Sequence, residues 1–89
     1  MANFLISRID VKDFAHWKAG YDAHKDARDA AGITEKYLLQ DVDNPNTVTL
    51  LFEAEDMEKA KAFGDSDDLI KAMEESGVVG EPKLYFLTG

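Results

Sequence analysis

The stretch KYLLQDVDNPNTVTLLFEA, residues 36–54, decides the fold because it holds two strands and the turn that joins them. Residues 36–42 and 47–54 are rich in branched, aromatic and other apolar side chains, a composition typical of β-strands. Between them, residues 43–46 are Asp-Asn-Pro-Asn, and each of these residue types favours a turn. The sequence therefore predicts an antiparallel hairpin near the middle of the chain.

On the N-terminal side of this hairpin, the sequence predicts one strand and one long helix. The strand covers residues 3–9, and the helix covers residues 13–31. Asp10 or Asp13 can accept hydrogen bonds from the first turn of the helix. Gly32 suits the left-handed backbone that often follows a helix end. These signals together place the limits of the helix.

On the C-terminal side, a helix over residues 56–63 is followed by a break and by a second helical piece, which begins at 67 or 68 and ends at 76. A last strand covers residues 83–87. The complete order is β-α-β-β-α-β, which is typical of the ferredoxin-like split βαβ plan. The predicted fold class is therefore α+β, with a four-stranded antiparallel sheet.

All four predicted strands carry apolar side chains on both faces. Successive side chains of a strand point to opposite faces, so Phe4 and Ile6 oppose Leu5 and Ile9 in the first strand. In the other three strands, the opposing pairs include Tyr37 and Leu38, Leu50 and Leu51, and Leu84 and Tyr85. The helices of a ferredoxin-like plan cover only one face, which leaves the other as an apolar patch larger than a monomer usually exposes.

This two-sided pattern leads us to expect a homodimer, in which a second copy covers the open face by two-fold symmetry. The alternative is that β-strand propensity alone enriched both faces in apolar residues, in which case the chain is a monomer. The mass of the particle in solution distinguishes the two possibilities.

The composition limits the class of partner. Residues 1–89 have the length of one domain and include no cysteine, so disulfide and thiolate chemistry are excluded. A net charge of −8 disfavours both nucleic acid and anionic membrane surfaces as partners. No apolar run approaches the roughly 20 residues that cross a bilayer, and the first residues lack the features of a signal peptide. We therefore expect a cytoplasmic protein.

The predicted first helix places a charged pair among aromatic side chains. At about 100° per residue, one broad face carries Phe14, Trp17, Tyr21, His24 and Arg28. An inward arginine stays charged and needs an acceptor, such as the carboxylate, enolate or phenolate of a ligand. An inward histidine can exchange protons near neutral pH. We therefore predict a small-molecule cleft between the sheet and this helix, with His24 and Arg28 as the catalytic candidates.

Aromatic walls complete the predicted cleft. Gly20 lacks a side chain and would leave space beside the sheet. The residues expected to bind the substrate are Phe14, Trp17, Tyr21 and Tyr37. Alternatively, Arg28 could reach solvent or pair with an acidic residue, His24 could bond a backbone carbonyl, and the aromatic residues could belong to the core.

No recognised metal, nucleotide or nucleophile motif is present in the sequence. His16 and His24 are eight residues apart, which is about 12 Å along a helix, so they cannot bind one ion within a subunit. The sequence has no HExxH, GxSxG, GxGxxG or P-loop motif. We therefore predict no metal site and no cofactor.

The same residues carry a family resemblance. Its motifs are Asp13-Phe14, Trp17, Tyr21, His24, Arg28 and Gly32, the turn around Pro45, Leu51-Phe52-Glu53, residues 59–63 and residues 77–86. With these motifs the chain resembles the dimeric α/β barrel superfamily over nearly its whole length. It is most similar to the small members called antibiotic-biosynthesis-monooxygenase-like or cyclase-like.

The resemblance implies two chains paired as a dimeric α/β barrel, with a cleft in each subunit between sheet and helices. Relatives with this fold include cofactor-independent monooxygenases, lactone isomerases, polyketide cyclases and haem-degrading enzymes, as well as proteins with no known activity. The haem-binding relatives place a ligating histidine in the second helical region, and this chain has no histidine after His24. Because one fold hosts many chemistries, the resemblance does not supply the reaction.

Two functions are therefore predicted as alternatives. The first is a small-molecule-binding homodimer that works as a cofactor-independent enzyme of monooxygenase, isomerase or cyclase type. In it, Arg28 would hold the oxyanion of a small acidic or phenolic substrate, and His24 would move a proton. The second is a non-catalytic dimeric module with a binding or structural role.

Overall fold

The computed structural model describes residues 2–89 and contains one antiparallel sheet of four strands. The strands are β1 (Asn3–Val11), β2 (Ile33–Gln40), β3 (Thr47–Ala54) and β4 (Val78–Thr88). Their order across the sheet is β2-β3-β1-β4, and each neighbouring pair is antiparallel. The structure thus confirms the predicted α+β class, the hairpin and the ferredoxin-like order of strands.

Two helical regions connect the strands, and each of them is divided in two. The helices are α1 (Phe14–Ala23), α2 (Lys25–Ala30), α3 (Met57–Gly64) and α4 (Asp67–Glu75). Within residues 2–89, no helix is long and apolar enough to cross a bilayer.

Local capping chemistry explains where the helices begin and end. The side chain of Asp13 accepts a hydrogen bond from the first turn of α1, whereas Asp10, the other candidate, lies in β1. Asp56 and Ser66 cap α3 and α4 in the same way. Gly32 has a φ of +71° and turns the chain from α2 into β2, as its position after the helix predicts.

The structure corrects the prediction of one helix over residues 13–31. This region breaks at His24, whose backbone angles of −93° and 8° fall outside the helical values. The break contains neither glycine nor proline, so the sequence offers no signal for it.

Two strands are also longer than predicted at their N-terminal ends. β2 begins at Ile33, whose side chain is buried and whose backbone pairs with Ala54 of β3. β4 begins at Val78 and passes through Gly80, with a φ of +70°, and Pro82. A register shift in the pairing with β1 accommodates this irregular part of the strand.

The helices cover one face of the sheet, and this face forms the core. Inward side chains of β1 and β3 meet Trp17 of α1 and Ala60 of α3 there. The buried strand residues include Leu5, Ile9, Val48, Leu50 and Phe52. This face therefore provides the surface on which a site between sheet and helices is built.

The opposite face of the sheet carries an apolar row that crosses all four strands. The register pairs Tyr37 with Leu51, Leu51 with Ile6, and Ile6 with Tyr85, which places these four side chains side by side. Tyr37 is 61% exposed and Tyr85 is 50% exposed. The prediction that the strands are apolar on both faces is therefore confirmed. We call this surface the open face.

Candidate functional site

A cavity of about 80 Å³ lies between the covered face of the sheet and the helices. Leu5, Ser7 and Ile9 of β1 contribute to its sheet side, and Phe52 and Leu84 extend that side onto β3 and β4. On the helix side, Trp17, Tyr21, His24 and Arg28 contribute from the first helical region, and Leu69 and Met73 from α4. The lining is mainly apolar, and its polar groups come from a small number of side chains.

A column of stacked side chains forms the wall on α1 and α2. The rings of Trp17 and Tyr21 stack with centroids 4.9 Å apart, and the guanidinium of Arg28 lies over the Tyr21 ring at 3.7 Å. Phe14 packs against Trp17 at 5.7 Å but does not line the cavity. Of the aromatic residues predicted on this helix, the structure therefore brings Trp17 and Tyr21 to the site and places Phe14 behind them.

Arg28 is the most unusual group in the cavity. Its residue is only 8% exposed, and among residues 2–89 it belongs to none of the ion pairs. One of its amino groups donates a hydrogen bond of 2.7 Å to the carbonyl of Tyr21, near the helix break. A guanidinium has five N–H donors, so this bond and the face of the Tyr21 ring leave donors available to a ligand.

Tyr21 is held as a neutral wall of the cavity. Its hydroxyl donates a hydrogen bond of 2.8 Å to Glu35 of β2. Burial raises the pKa of Tyr21 far above its ordinary value, and the bond to Glu35 raises it further. The phenol therefore keeps its proton at neutral pH and supplies the cavity with an uncharged ring.

His24 lies where the cavity meets an outer groove between α1 and α4. It contributes to the lining of both, and its ring centroid is 5.9 Å from that of Phe63. Its side chain is 18% exposed, and its Nε2 lies 2.8 Å from Oδ2 of Asp68 on α4. The predicted catalytic pair, His24 and Arg28, is therefore brought to one cavity, and His24 has a carboxylate partner that the sequence did not indicate.

Ser7 is a second polar residue that the sequence prediction missed. It is 8% exposed, lies on the sheet side of the cavity, and its hydroxyl takes part in no side-chain hydrogen bond within the described chain. Its position between Leu5 and Ile9, on the inward side of β1, is the signal that could have identified it. One polar residue in an apolar inward series suggests a contact other than simple packing.

Gly20 lines the cavity, as the sequence predicts, and it also lies at the contact between α1 and α4. A Cβ atom at this position would lie 2.9 Å from the Cβ of Ser76, at the end of α4. The missing side chain therefore allows α1 and α4 to approach each other closely. The cavity itself lies between these two helices and the sheet.

Tyr37 was predicted to bind substrate, but the structure places it on the open face. It pairs with Leu51 there and is absent from the cavity lining. A shift in the pairing of β2 with β3, between Glu35 and Tyr37, decides which side chains of β2 face the helices. Such a bulge has no clear signal in the sequence.

No metal-binding cluster is present among residues 2–89, because the structure brings no three His, Asp or Glu side chains close enough together to hold an ion.

Solved structures with this arrangement of strands and helices share the ferredoxin-like fold. A protein from Bordetella bronchiseptica, provisionally named an antibiotic biosynthesis monooxygenase, superimposes with a TM-score of 0.79 and 18% identity over 99% of this chain and 96% of that one. A similarly named protein from Caulobacter crescentus gives 0.73 and 15% identity over 97% and 87%. SnoaB, a cofactor-independent oxygenase from Streptomyces nogalater, gives 0.73 and 11% identity over 99% and 92%.

These comparisons define the class of fold. At such low identity the likeness concerns the backbone, and it confirms at that level the resemblance to the antibiotic-biosynthesis-monooxygenase-like proteins. No protein-family model and no curated protein sequence matches the chain. The chemistry of the site therefore has to be argued from its own residues.

Proposed function

We propose that this protein is a homodimer that binds a small acidic or phenolic molecule in the cavity and acts on it without a cofactor. In this proposal the reaction is of monooxygenase, isomerase or cyclase type. Arg28 binds the negatively charged oxygen of the substrate, and His24 moves a proton.

The observation that carries the proposal is the state of Arg28. A guanidinium that is 8% exposed loses most of its hydration, and proteins normally compensate such a charge with a carboxylate. Within residues 2–89, Arg28 has only the Tyr21 carbonyl and the Tyr21 ring as partners. An anionic oxygen in the cavity would supply the missing charge, and the planar guanidinium suits a carboxylate or an enolate.

The rest of the lining supports a ligand with an apolar body. Apart from Arg28, His24, Tyr21 and two serines, the cavity is formed by apolar side chains and Gly20 and Gly64. The Ser7 hydroxyl, which has no other side-chain partner in the described chain, can bond a second oxygen of the ligand. An anion with a short hydrocarbon or aromatic body matches both features.

The small volume of the cavity means that its walls have to move before an aromatic ligand can bind. About 80 Å³ is smaller than the roughly 300–1,000 Å³ of typical ligand sites, so an aromatic ligand requires the walls to move. α4 is the wall most suited to move, because the structure, over residues 67–75, shows none of its residues fully buried. We therefore expect ligand entry to displace α4 from the sheet.

The open face supports the homodimer in this proposal. Its cross-strand row of apolar side chains has no helix over it in the described chain. Beside the row, two residues along β1 from Ile6, Arg8 forms a bidentate pair with Asp41 at N–O distances of 3.0 and 2.8 Å, and these bonds lower the pKa of Asp41. An apolar row beside a paired arginine and aspartate is suited to burial against a second copy.

The proposed chemistry uses only groups of the chain. Proton transfer by a positioned histidine and stabilisation of an oxyanion by a buried guanidinium are sufficient for enolisation. The structural neighbour SnoaB is described as a cofactor-independent oxygenase, which supports the same class of reaction for this fold.

Calorimetric titration with a size series of weak acids, namely isobutyrate, phenol and benzoate, tests the binding step. Arg28→Gln should weaken binding of the two carboxylates at least about tenfold, because a hydrogen bond to a charged group contributes roughly 1.5–3 kcal/mol. Lys25→Gln is the matched control, since Lys25 lies on α2 and its side chain is 68% exposed. Equal affinity of the wild type and Arg28→Gln would contradict the role of Arg28, and no binding by the wild type would favour the non-catalytic module.

A further inference from the structure

We propose that Asp68 is the positioning residue for His24, and that the two form a proton-transfer pair each time α4 closes over a bound substrate. This pair identifies the substrate class as a weak acid that enters with its proton, either a phenol or an enolisable carbonyl compound. The inference rests on the proposed function and adds to it the source of the base and the protonation state of the substrate.

The contact between the two residues fixes which imidazole nitrogen can act as a base. Nε2 of His24 lies 2.8 Å from Oδ2 of Asp68, and an ionised carboxylate can only accept hydrogen bonds. The proton of the neutral imidazole is therefore on Nε2, and the lone pair is on Nδ1. Among residues 2–89 no hydrogen bond to Nδ1 is present, so this nitrogen remains available to accept a proton.

The exposure of the two side chains indicates that Asp68 positions the ring of His24 and adds little to the stability of the fold. The side chain of Asp68 is 77% exposed, and an ion pair in so open a place contributes little to the stability of a fold. The imidazole of His24 is only 18% exposed and lines the cavity, so the orientation of its ring decides where Nδ1 lies. The carboxylate thus holds the tautomer and the ring of a residue that touches the cavity.

The position of His24 and Asp68 in the fold links this pair to the entry of ligand into the cavity. Ser76, just after α4, is held against Gly20 of α1, where no side chain separates the two helices. At its other end, α4 is linked to the helix break by Asp68 and His24. His24 also lines the outer groove, so the pair lies across the boundary between groove and cavity.

This arrangement couples closure to the assembly of the base. The cavity of about 80 Å³ is too small for a substituted ring, so entry has to separate the N-terminal end of α4 from α1 and break the contact at Asp68. When the N-terminal end of α4 comes back to α1, with the side chains of Leu69 and Met73 shifted to make room for the ring, Asp68 restores the tautomer of His24 next to the bound molecule. The base is therefore oriented when substrate is enclosed and water is excluded.

The proton-transfer step conserves atoms and charge. The O–H bond of a phenol, or the C–H bond next to a carbonyl, breaks, and its electron pair stays on the substrate as a phenolate or an enolate. The proton forms a bond to Nδ1 of His24, which becomes an imidazolium that Asp68 stabilises through Nε2. Arg28 faces the anion, and return of the proton to a different atom completes an isomerisation with no oxidant or reductant.

The first experiment tests the positioning role without any ligand. The chain has only two histidines, so nitrogen-15 NMR shows two imidazoles, and His16→Asn assigns them. In alkaline buffer, where imidazoles are neutral, we expect His24 of the wild type to be protonated on Nε2 alone. Asp68→Ala should change it to a mixture of tautomers, whereas Asp68→Asn keeps an acceptor and should retain the wild-type tautomer.

Asp67→Ala is the matched control, because it removes the same charge one residue away and Asp67 makes no ion pair with His24 within the described chain. An unchanged His24 tautomer in Asp68→Ala would overturn the positioning role, whatever the ligand experiments show.

The second experiment tests the substrate class with 4-nitrophenol, whose neutral and ionised forms absorb at different wavelengths. In buffer acidic enough that the free probe is almost all phenol, binding to the wild type and to Asp67→Ala should produce the phenolate band. Asp68→Ala should bind the probe with a phenolate fraction at least threefold lower. An equal fraction in the wild type and Asp68→Ala would overturn the proton-transfer pair.

The two proposals fail in different ways. If the wild type does not bind 4-nitrophenol or the weak-acid series, the proposed function is contradicted and the substrate class with it, while the NMR result still decides the role of Asp68. If Arg28→Gln loses binding but Asp68→Ala retains both the tautomer and the phenolate fraction, the cavity function stands and the present inference is wrong.

Discussion

Arg28 and Tyr21 form one unit at the centre of the candidate site. The guanidinium stacks on the phenol ring at 3.7 Å and donates to the carbonyl of the same residue at 2.7 Å. Glu35 then holds the far end of the ring through the hydroxyl. The ring and the backbone carbonyl of Tyr21 thus hold the positive charge of Arg28 in an apolar region, and the Glu35 carboxylate lies at the hydroxyl end of the same ring.

Tyr21→Phe tests this unit through the pH dependence of stability. Loss of the bond to Glu35 should lower the free energy of unfolding by about 1 kcal/mol at neutral pH. Burial and that bond raise the pKa of Tyr21 in the folded protein, whereas the unfolded chain releases the proton near pH 10. Wild-type stability should therefore fall as the pH rises above about 10.

In Tyr21→Phe this alkaline fall should be smaller, which urea unfolding at a series of pH values can measure. Equal slopes for the two proteins above pH 10 would show that the Tyr21 proton is not retained by the fold.

At the scale of residues, the sequence predicts which side chains of the first helical region reach the cavity. It does not predict which residues of other elements they contact. Helical spacing alone placed Trp17, Tyr21, His24 and Arg28 on one face, and the structure brings all four to the cavity. Asp68 was not predicted, because its contact with His24 spans 44 positions and depends on how α4 packs. Tertiary contacts of this kind have no local pattern in the sequence.

Among the elements, the contact of α1 with α4 is the one that shapes the site. Gly20 and Ser76 hold the two helices close together at the end of α4, while the remainder of α4 covers the cavity. Small residues at such a crossing determine how near two helix axes can lie.

Gly20→Ala should destabilise the fold although alanine favours helices. The gain in helix propensity is about 1 kcal/mol, whereas forcing a Cβ to within 2.9 Å of the Ser76 Cβ requires a shift of backbone that usually costs roughly 1–3 kcal/mol. We expect a net loss of about 1 kcal/mol in urea unfolding.

The double variant Gly20→Ala, Ser76→Gly removes the contacted side chain and serves as the control. It should be at least as stable as Ser76→Gly alone, because the propensity gain of alanine is then unopposed. Strict additivity of the two single changes would show that the helices do not meet at this point.

At the scale of elements, the helix ends that are set by capping residues were predictable from the sequence. The ends of helices and strands that depend on packing were not. Asp13, Asp56 and Gly32 act where their chemistry indicates. The break at His24 has no breaker residue, and β2 extends back to Ile33 because pairing with β3 continues there. The β2 extension follows from strand pairing, and the residue at the break, His24, contacts Asp68 of α4; local propensity contains neither contact.

For the whole molecule, the main feature is that helices cover one face of the sheet and leave the other face open. One face is closed by four helices, and the other presents the row of Tyr37, Leu51, Ile6 and Tyr85. The alternation of side chains in the sequence predicted both faces, because strand periodicity is strict. Pairing with a second copy is a property of an assembly, and the residue pattern of one chain does not contain it.

Tyr85→Glu tests the homodimer. A carboxylate at the β4 end of the apolar row would have to be buried without a partner, which proteins avoid, so the variant should be monomeric at concentrations where the wild type has the mass of two chains. Light scattering after size exclusion gives this mass. Ile70→Glu is the matched control, because Ile70 is 44% exposed on α4, on the helix side of the sheet.

A wild-type mass of one chain would contradict the homodimer directly. Dissociation of both variants would show that the open face has no special part in it.

The irregular start of β4 has a consequence for how copies of the chain can associate. A lateral strand normally offers a line of unsatisfied amide and carbonyl groups, onto which further chains can add without limit, as in amyloid. In β4, Gly80 bends this line and Pro82 removes one donor from it. This border of the sheet is thereby protected from the unlimited addition of further strands.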